Sequence, residues 1–123
     1  MEPTRIAKED VLYRMETGTP LAIVDARAPD AWALSEMEIP GSIRVPPDDV
    51  ERHLDEIPRD RPVVIYCSDP QERYSVQVAV ALLERGWPNV HPLAHGFHDW
   101  WKESYPTTWK RGYDPLHLKA QGA

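Results

Sequence analysis

The sequence predicts an α/β fold, a mostly parallel sheet with helices on both faces. Three observations carry that expectation. Short apolar, β-branched runs at residues 21–25, 42–45, 63–66 and 89–93 read as strands. Helical patterns at 8–17, 48–54 and 76–85 fall between them. Strands that alternate with helices pair in parallel, because each crossover lays its helix on a sheet face. Glycine and proline punctuate the joints, as at Gly18, Pro40-Gly41, Pro46-Pro47 and Gly86.

Taken in order, residues 4–7 read as a short edge strand. Residues 8–17 follow as a helix with Val11, Leu12 and Met15 on one stripe, stopped by Gly18. The run 21–25 is continuously apolar and closes on Asp25, the pattern of a buried parallel strand. Asp30 is placed to cap a short helix containing Trp32 and Leu34. Ile39-Pro40-Gly41 is a turn and 42–45 a short strand. Residues 48–54 open with Asp48 and Asp49, which suit the positive end of a helix dipole. The run Val63-Val64-Ile65-Tyr66 is the central strand, 76–85 a helix, 89–93 a fifth strand, and 96–102 the start of the last regular helix.

The chain has 123 residues, which suits a single domain: a core over about 6–104 and an extension over 105–123. Hydrophobic residues make up 41%, too many for a disordered chain. The formal net charge of −6 argues against nucleic acid or an anionic membrane as the main partner. One cysteine excludes an internal disulfide and a cysteine-based zinc cluster. Met1-Glu2-Pro3-Thr4-Arg5 opens no signal-peptide pattern and no apolar run could span a bilayer, so a cytoplasmic location is expected. His91, His95 and His98 fall across a strand end, a turn and a helix start, a spacing that offers no fixed frame for a metal. No cofactor is expected.

The chemistry points to Cys67. It ends the central strand and precedes a polar loop, Ser68-Asp69-Pro70-Gln71-Glu72-Arg73, and a helix. Loop N–H groups and a helix N-terminus both favour an anion at such a place. Thiols so placed become thiolate nucleophiles, whereas a cysteine inside apolar packing stays inert. Sites in parallel sheets lie outside the carboxyl ends of strands, so Asp25 and Cys67 are expected near one another.

The order of segments resembles the rhodanese superfamily. Val24-Asp25-Ala26-Arg27 resembles its Asp-x-Arg strand end, Ile39-Pro40-Gly41-Ser42-Ile43 its Ile-Pro-Gly-Ala turn, and Tyr66-Cys67 its Tyr-Cys catalytic start. Arg85-Gly86-Trp87-Pro88-Asn89-Val90 and Leu93-Ala94-His95-Gly96-Phe97-His98-Asp99-Trp100 resemble its later Gly-aromatic and Leu-x-Gly-Gly-x-x-x-Trp segments. The resemblance implies a rhodanese-like, five-stranded, mostly parallel sheet between helices. It implies a sulfurtransferase that carries a sulfane sulfur as a persulfide on Cys67, between a small donor and a thiol acceptor or a persulfide-carrying partner protein. The loop from Ser68 to Arg73 would bind the substrate, and Asp25 and Arg27 would brace it as an ion pair.

The loop departs from the family's Cys-x-x-Gly-x-Arg-Ser and resembles a variant with Cys-x-x-Pro-x-Glu. Met37-Glu38 replaces a Gly-His pair, and His95 replaces the first glycine of Gly-Gly. Cys67 and Arg73 also have the spacing of cysteine phosphatases, where the arginine clamps a tetrahedral oxyanion. Tyr66, where a phosphatase has histidine, and the acidic Asp69 and Glu72 speak against that alternative and against thiosulfate as a good donor. A non-catalytic module for binding or redox sensing is the third reading. Glu38 is expected in solvent, and Trp32, Trp87, Trp100 and Trp101 in packing between elements.

Overall fold

The computed structural model describes residues 2–68 and 72–110. Two strands form the centre, β1 (Ala22–Asp25) and β4 (Val63–Tyr66), and every residue of both is buried. With β3 (Ile43–Arg44) and β5 (Val90–Pro92) they make a four-stranded sheet in the order β3-β1-β4-β5, with all pairs parallel. Strands buried on both faces carry unbroken apolar runs rather than an alternating pattern, which is why 21–25 and 63–66 read as they do.

The expected edge strand at residues 4–7 is reduced to a single parallel bridge between Ile6 and Leu93, so the sheet has four strands rather than the five that the resemblance implies. The Ile6 N–H donates to the Pro92 carbonyl at 2.9 Å, and the Ala94 N–H donates to the Ile6 carbonyl at 2.9 Å. α1 (Lys8–Thr17) begins two residues later, so the chain leaves the sheet edge before a second pair forms. Residues 50–56 form a 3-10 helix rather than an α-helix starting at Asp48. α2 (Pro29–Leu34) has Ala28 at its N-cap position, with no side-chain cap, and proline at its start, and Asp30 accepts a hydrogen bond from the Ala31 N–H at 2.8 Å instead of capping the helix.

The pleat of β1 and β4 divides the core. Ala22, Val24, Val63 and Ile65 face one layer, where α3 (Arg73–Glu84) supplies Val78, Ala79 and Leu82 and the 3-10 segment supplies Val50. Ile23, Val64 and Tyr66 face the other, against Val11 of α1 and Phe97 and Trp100 of α4 (Gly96–Lys102). Alternate side chains along a strand point to opposite faces, so four residues of β4 anchor both helical layers. None of the described helices is long and apolar enough to cross a membrane.

A second, two-stranded sheet joins β2 (Met37–Glu38) to β6 (Thr108–Trp109) antiparallel. Two-residue strands are too short to show a period of two, so the sequence does not announce them. Glu38, expected in solvent, is buried by this pairing. Residues 69–71 of the expected loop and 111–123 of the expected extension lie outside the described residues.

Candidate functional site

Cys67 follows β4 directly and is fully buried. Register puts Asp25 opposite Tyr66, one residue before the cysteine, so the two strand ends meet as expected. The Cys67 thiol donates to Ser75 Oγ at 3.6 Å, and Ser75 Oγ donates to the Glu72 carbonyl at 3.1 Å. Ser75 lies in the first turn of α3, so the sulfur faces both a hydroxyl and the positive end of a twelve-residue helix. A hydroxyl can turn its proton toward a thiolate when the sulfur ionises.

The entry to the loop is tied to α4. The Phe97 N–H donates to the Cys67 carbonyl at 2.7 Å and the His98 N–H to the Ser68 carbonyl at 3.3 Å. Those helix-start donors are therefore engaged with the loop backbone. The far end is tied by Glu72, which is buried in the left-handed region at φ 63. Its carboxylate takes a hydrogen bond from Arg5 Nε and one of 3.3 Å from the His95 N–H. Of the two acidic residues that the sequence sets against an incoming dianion, Glu72 is thus compensated by Arg5, and Asp69 lies outside the described residues. Arg73, the clamp of the phosphatase alternative, is the exposed first residue of α3.

Asp25 and Arg27 form the expected ion pair, and it is wholly buried, with both side chains 1% exposed. Arg27 donates Nε to Asp25 Oδ1 at 2.9 Å and Nη2 to Oδ2 at 2.6 Å, the two-pronged geometry that a guanidinium offers a carboxylate. Nη2 also donates to the Met37 carbonyl at 3.0 Å, and Arg44 Nη1 lies 3.6 Å from Asp25. Burial pulls the Arg27 pKa down, but the hydrogen bonds and charge of Asp25 outweigh it, so the net shift is upward. The guanidinium also stacks on the Phe97 and Tyr66 rings, at 4.7 and 5.5 Å from their centroids. Through those rings the pair supports the residue before Cys67 and the residue whose N–H holds the Cys67 carbonyl.

Tyr66 is held by its hydroxyl. The Ile39 N–H donates to it at 3.2 Å, and Ser42 Oγ lies 2.9 Å away. Burial, reinforced by Asp25, pushes the phenol far above its ordinary pKa, so it stays neutral. The Ile-Pro-Gly turn is therefore fastened to the residue before the cysteine.

Beside the loop lies an open cleft of about 470 Å³, lined by Arg27, Ser68, Phe97 and His98, by residues of α2 and by Trp101. Trp87 and Trp100 are buried as expected, but Trp101 is 57% exposed on this cleft. Trp32 lies between Arg44 and Lys110, which sit 4.8 and 4.0 Å from its ring. Among the described residues no three His, Cys, Asp or Glu side chains gather as a metal site. Ser75 is the site residue that the sequence reading passes over. The signal for it was the serine that closes the family's loop, displaced here by the longer spacing.

A family model described as the rhodanese-like domain matches residues 7–103. A protein of Allochromatium vinosum named sulfurtransferase is 29% identical over 101 residues, covering 82% of this chain and 91% of that protein. A full-length protein of Lactobacillus plantarum superposes with a TM-score of 0.78 at 21% identity, over 86% of this chain and 88% of that one. A protein from Rhodopseudomonas palustris, described as of unknown function and a possible tyrosine phosphatase, gives 0.72 at 20% identity, over 86% and 85%. At such identities the two structures bear on the fold alone.

Proposed function

The chain belongs to the rhodanese-like domain family, and from that premise we propose that it is a sulfurtransferase working through a persulfide on Cys67. The observation that carries this reading is the setting of the sulfur: at the end of the central strand, bonded to the buried Ser75 hydroxyl, and facing the start of α3. The Cys67 thiolate attacks the outer sulfur of a donor persulfide. The donor's S–S bond breaks, its thiolate leaves with the electron pair, and Cys67 keeps the sulfur as a persulfide. An acceptor thiolate then attacks that outer sulfur, and Cys67 leaves as thiolate. No external oxidant or reductant enters.

Backbone N–H groups between Ser68 and Arg73 would stabilise the charged sulfur, with Asp69, Pro70 and Gln71 as part of that loop. Asp25 and Arg27 would hold Tyr66 and Phe97 in place around it. The name carried by the Allochromatium relative supports the same activity. The phosphatase alternative rests on the spacing of Cys67 and Arg73, and the exposure of Arg73 speaks against it.

The test is the intact mass of the protein before and after a low-molecular-weight persulfide donor, with and without reductant. The expected result is a gain of one sulfur atom, removed by reductant and absent from Cys67→Ser. Arg73→Ala should load sulfur as the wild type does. A phosphatase would instead lose about 10²-fold or more in aryl phosphate hydrolysis on that substitution, the cost of one transition-state donor. Such a loss, with no sulfur loading, would replace this reading with the alternative.

A further inference from the structure

Among the described residues, Glu72, His95 and Ser104 stand at positive φ without being glycine, and a hydrogen bond joins the first two. Glu72 is the N-cap of α3, the helix start that faces the sulfur. His95 is the N-cap of α4, whose Phe97 and His98 N–H groups hold the Cys67 and Ser68 carbonyls. Left-handed residues other than glycine are uncommon, and such strain persists only where surrounding contacts over-determine it. An N-cap side chain ordinarily accepts from the first N–H groups of its own helix, and Glu72 does not. Its carboxylate turns outward instead: Oε2 takes the His95 N–H at 3.3 Å, and Oε1 takes Arg5 Nε.

The sheet edge places Arg5 for this contact. Ile6, the next residue, accepts the Ala94 N–H at 2.9 Å, and Ala94 directly precedes His95. One bridge therefore carries both Arg5 and His95 to Glu72. The ion pair is unequal in setting, with the Arg5 side chain 47% exposed and that of Glu72 only 7%. A carboxylate taken out of water depends on its charged and hydrogen-bonding partners. From Glu72 the contacts reach the sulfur in two steps. The Glu72 carbonyl accepts from Ser75 Oγ at 3.1 Å and from the Val76 N–H at 3.0 Å, and Ser75 Oγ accepts from the Cys67 thiol at 3.6 Å. Turning the Glu72 peptide would move the hydroxyl and the helix start together.

We propose that Arg5 is a positioning residue for Cys67: it clamps the Glu72 carboxylate, fixes that residue in its left-handed conformation, and so sets Ser75 Oγ and the start of α3 against the sulfur. The assignment rests on the sulfurtransferase reading. Arg5 acts through Glu72, not on the sulfur or its donor.

The test compares the full chain with Arg5→Met, Arg5→Lys, Glu72→Gln and the double variant Arg5→Met/Glu72→Gln, at a temperature where circular dichroism shows each of them folded. Loading of Cys67 from a low-molecular-weight persulfide is followed by rapid quench and intact mass over a range of donor concentrations. Arg5→Met should lower the maximal loading rate about tenfold or more, since a shift of about 1 Å at a reacting group can cost about 10²-fold. The donor concentration at half-maximal rate should stay unchanged. Arg5→Lys should load within about threefold of wild type, because the contact is one N–H to one oxygen rather than a two-pronged fork, and an ammonium can supply it. The double variant should load no slower than the slower single variant, since both changes break one contact. An unchanged maximal rate in Arg5→Met, a change in half-saturation alone, no rescue by lysine, or losses that add in the double variant overturns the proposal.

The backbone amide signals of Ser75 and His95 give a readout free of sulfur chemistry. Arg5→Met should shift both, and Arg5→Lys should leave both near their wild-type positions. Signals unmoved by Arg5→Met sink the positioning role whether or not wild-type Cys67 loads. Moved signals in a protein whose wild-type Cys67 takes up no sulfur sink the sulfurtransferase reading and leave Arg5 as the residue that sets the cysteine loop.

Discussion

Replacing Arg27 by methionine removes the cation from a buried pair and leaves its partner in place. Asp25 is 1% exposed and loses hydrogen bonds from Nε and Nη2 at 2.9 and 2.6 Å. What remains is the backbone N–H of residue 27 at 3.1 Å and Arg44 at 3.6 Å. Breaking a buried pair by removing one member costs about 3–5 kcal/mol, because the surviving charge stays desolvated. Arg44 compensates in part, so the lower end, about 3 kcal/mol, is expected. For a chain of this length that is a fall in Tm of about 10–15 °C. The double variant Asp25→Leu/Arg27→Met removes both charges and should recover at least half of the loss, since apolar replacement of a buried pair is often neutral. Chemical denaturation of the wild type and both variants, read by tryptophan fluorescence, measures all three values. A single variant within about 1 kcal/mol of wild type, or a double variant no better than the single, would refute the account of Asp25 as a charge that needs its partner.

Ser75→Ala removes the hydroxyl bonded to the Cys67 thiol, and a hydrogen bond to a charged group contributes about 1.5–3 kcal/mol, so sulfur loading should slow about 10- to 100-fold with little change in Tm. Stopped-flow loading rates check this, and an unchanged rate would mean that Ser75 only packs. Tyr66 is kept neutral by burial with a raised pKa, so its contribution to stability is full below the ordinary phenol value of 10.0 and fades as pH rises above it. Tyr66→Phe should therefore be less stable at pH 7, having lost the contacts to Ile39 and Ser42, yet show a shallower loss of stability at alkaline pH. Parallel slopes for the two proteins above pH 10 would contradict this. His95 sits at φ 68, where the resembled family has glycine, and a left-handed L-residue costs about 1–2 kcal/mol against a glycine entropy penalty of about 0.5–1. His95→Gly should raise stability by about 0.5–1 kcal/mol in urea, and a clear loss would show that the imidazole contributes a contact of its own.

The elements that the sequence made legible are those whose signal is local. Residues 22–24 and 63–65 are buried on both faces and are all apolar, and Gly18 and Gly86 stop their helices at positive φ, where side chains other than glycine are strained. The place of Cys67 in the fold was legible for the same reason: the end of such a run followed by a helix start is a local pattern. What escaped detection depends on partners far along the chain. Glu38 becomes buried only because residues 108–109 return to pair with β2, and nothing within 37–38 announces that. Glu72 read as a repulsive charge at the loop, and the contact that compensates it comes from Arg5, at the other end of the described chain. Trp101 follows the buried Trp100 on a helix, and one position of rotation moves it from core to cleft.

Two arginines stand near Cys67, and their positions bear on which anions the site suits. A phosphoryl group spreads charge over three oxygens and needs a guanidinium turned toward them with its donors available. Arg73 has available donors but lies exposed at the head of α3. Arg27 lies inside, but two of its three nitrogens are engaged by Asp25 and the Met37 carbonyl, and Nη1 has no hydrogen-bond partner among the described residues. A persulfide concentrates charge on one sulfur, which a hydroxyl, a helix start and loop N–H groups suit without any guanidinium. Nη1 is shielded from solvent as well, so Arg27 has no accessible donor with which to clamp a phosphate. On this reading the buried ion pair serves the architecture of the site and not the substrate: it fixes Tyr66 and Phe97 around the cysteine and leaves the charged sulfur to the hydroxyl and the helix start.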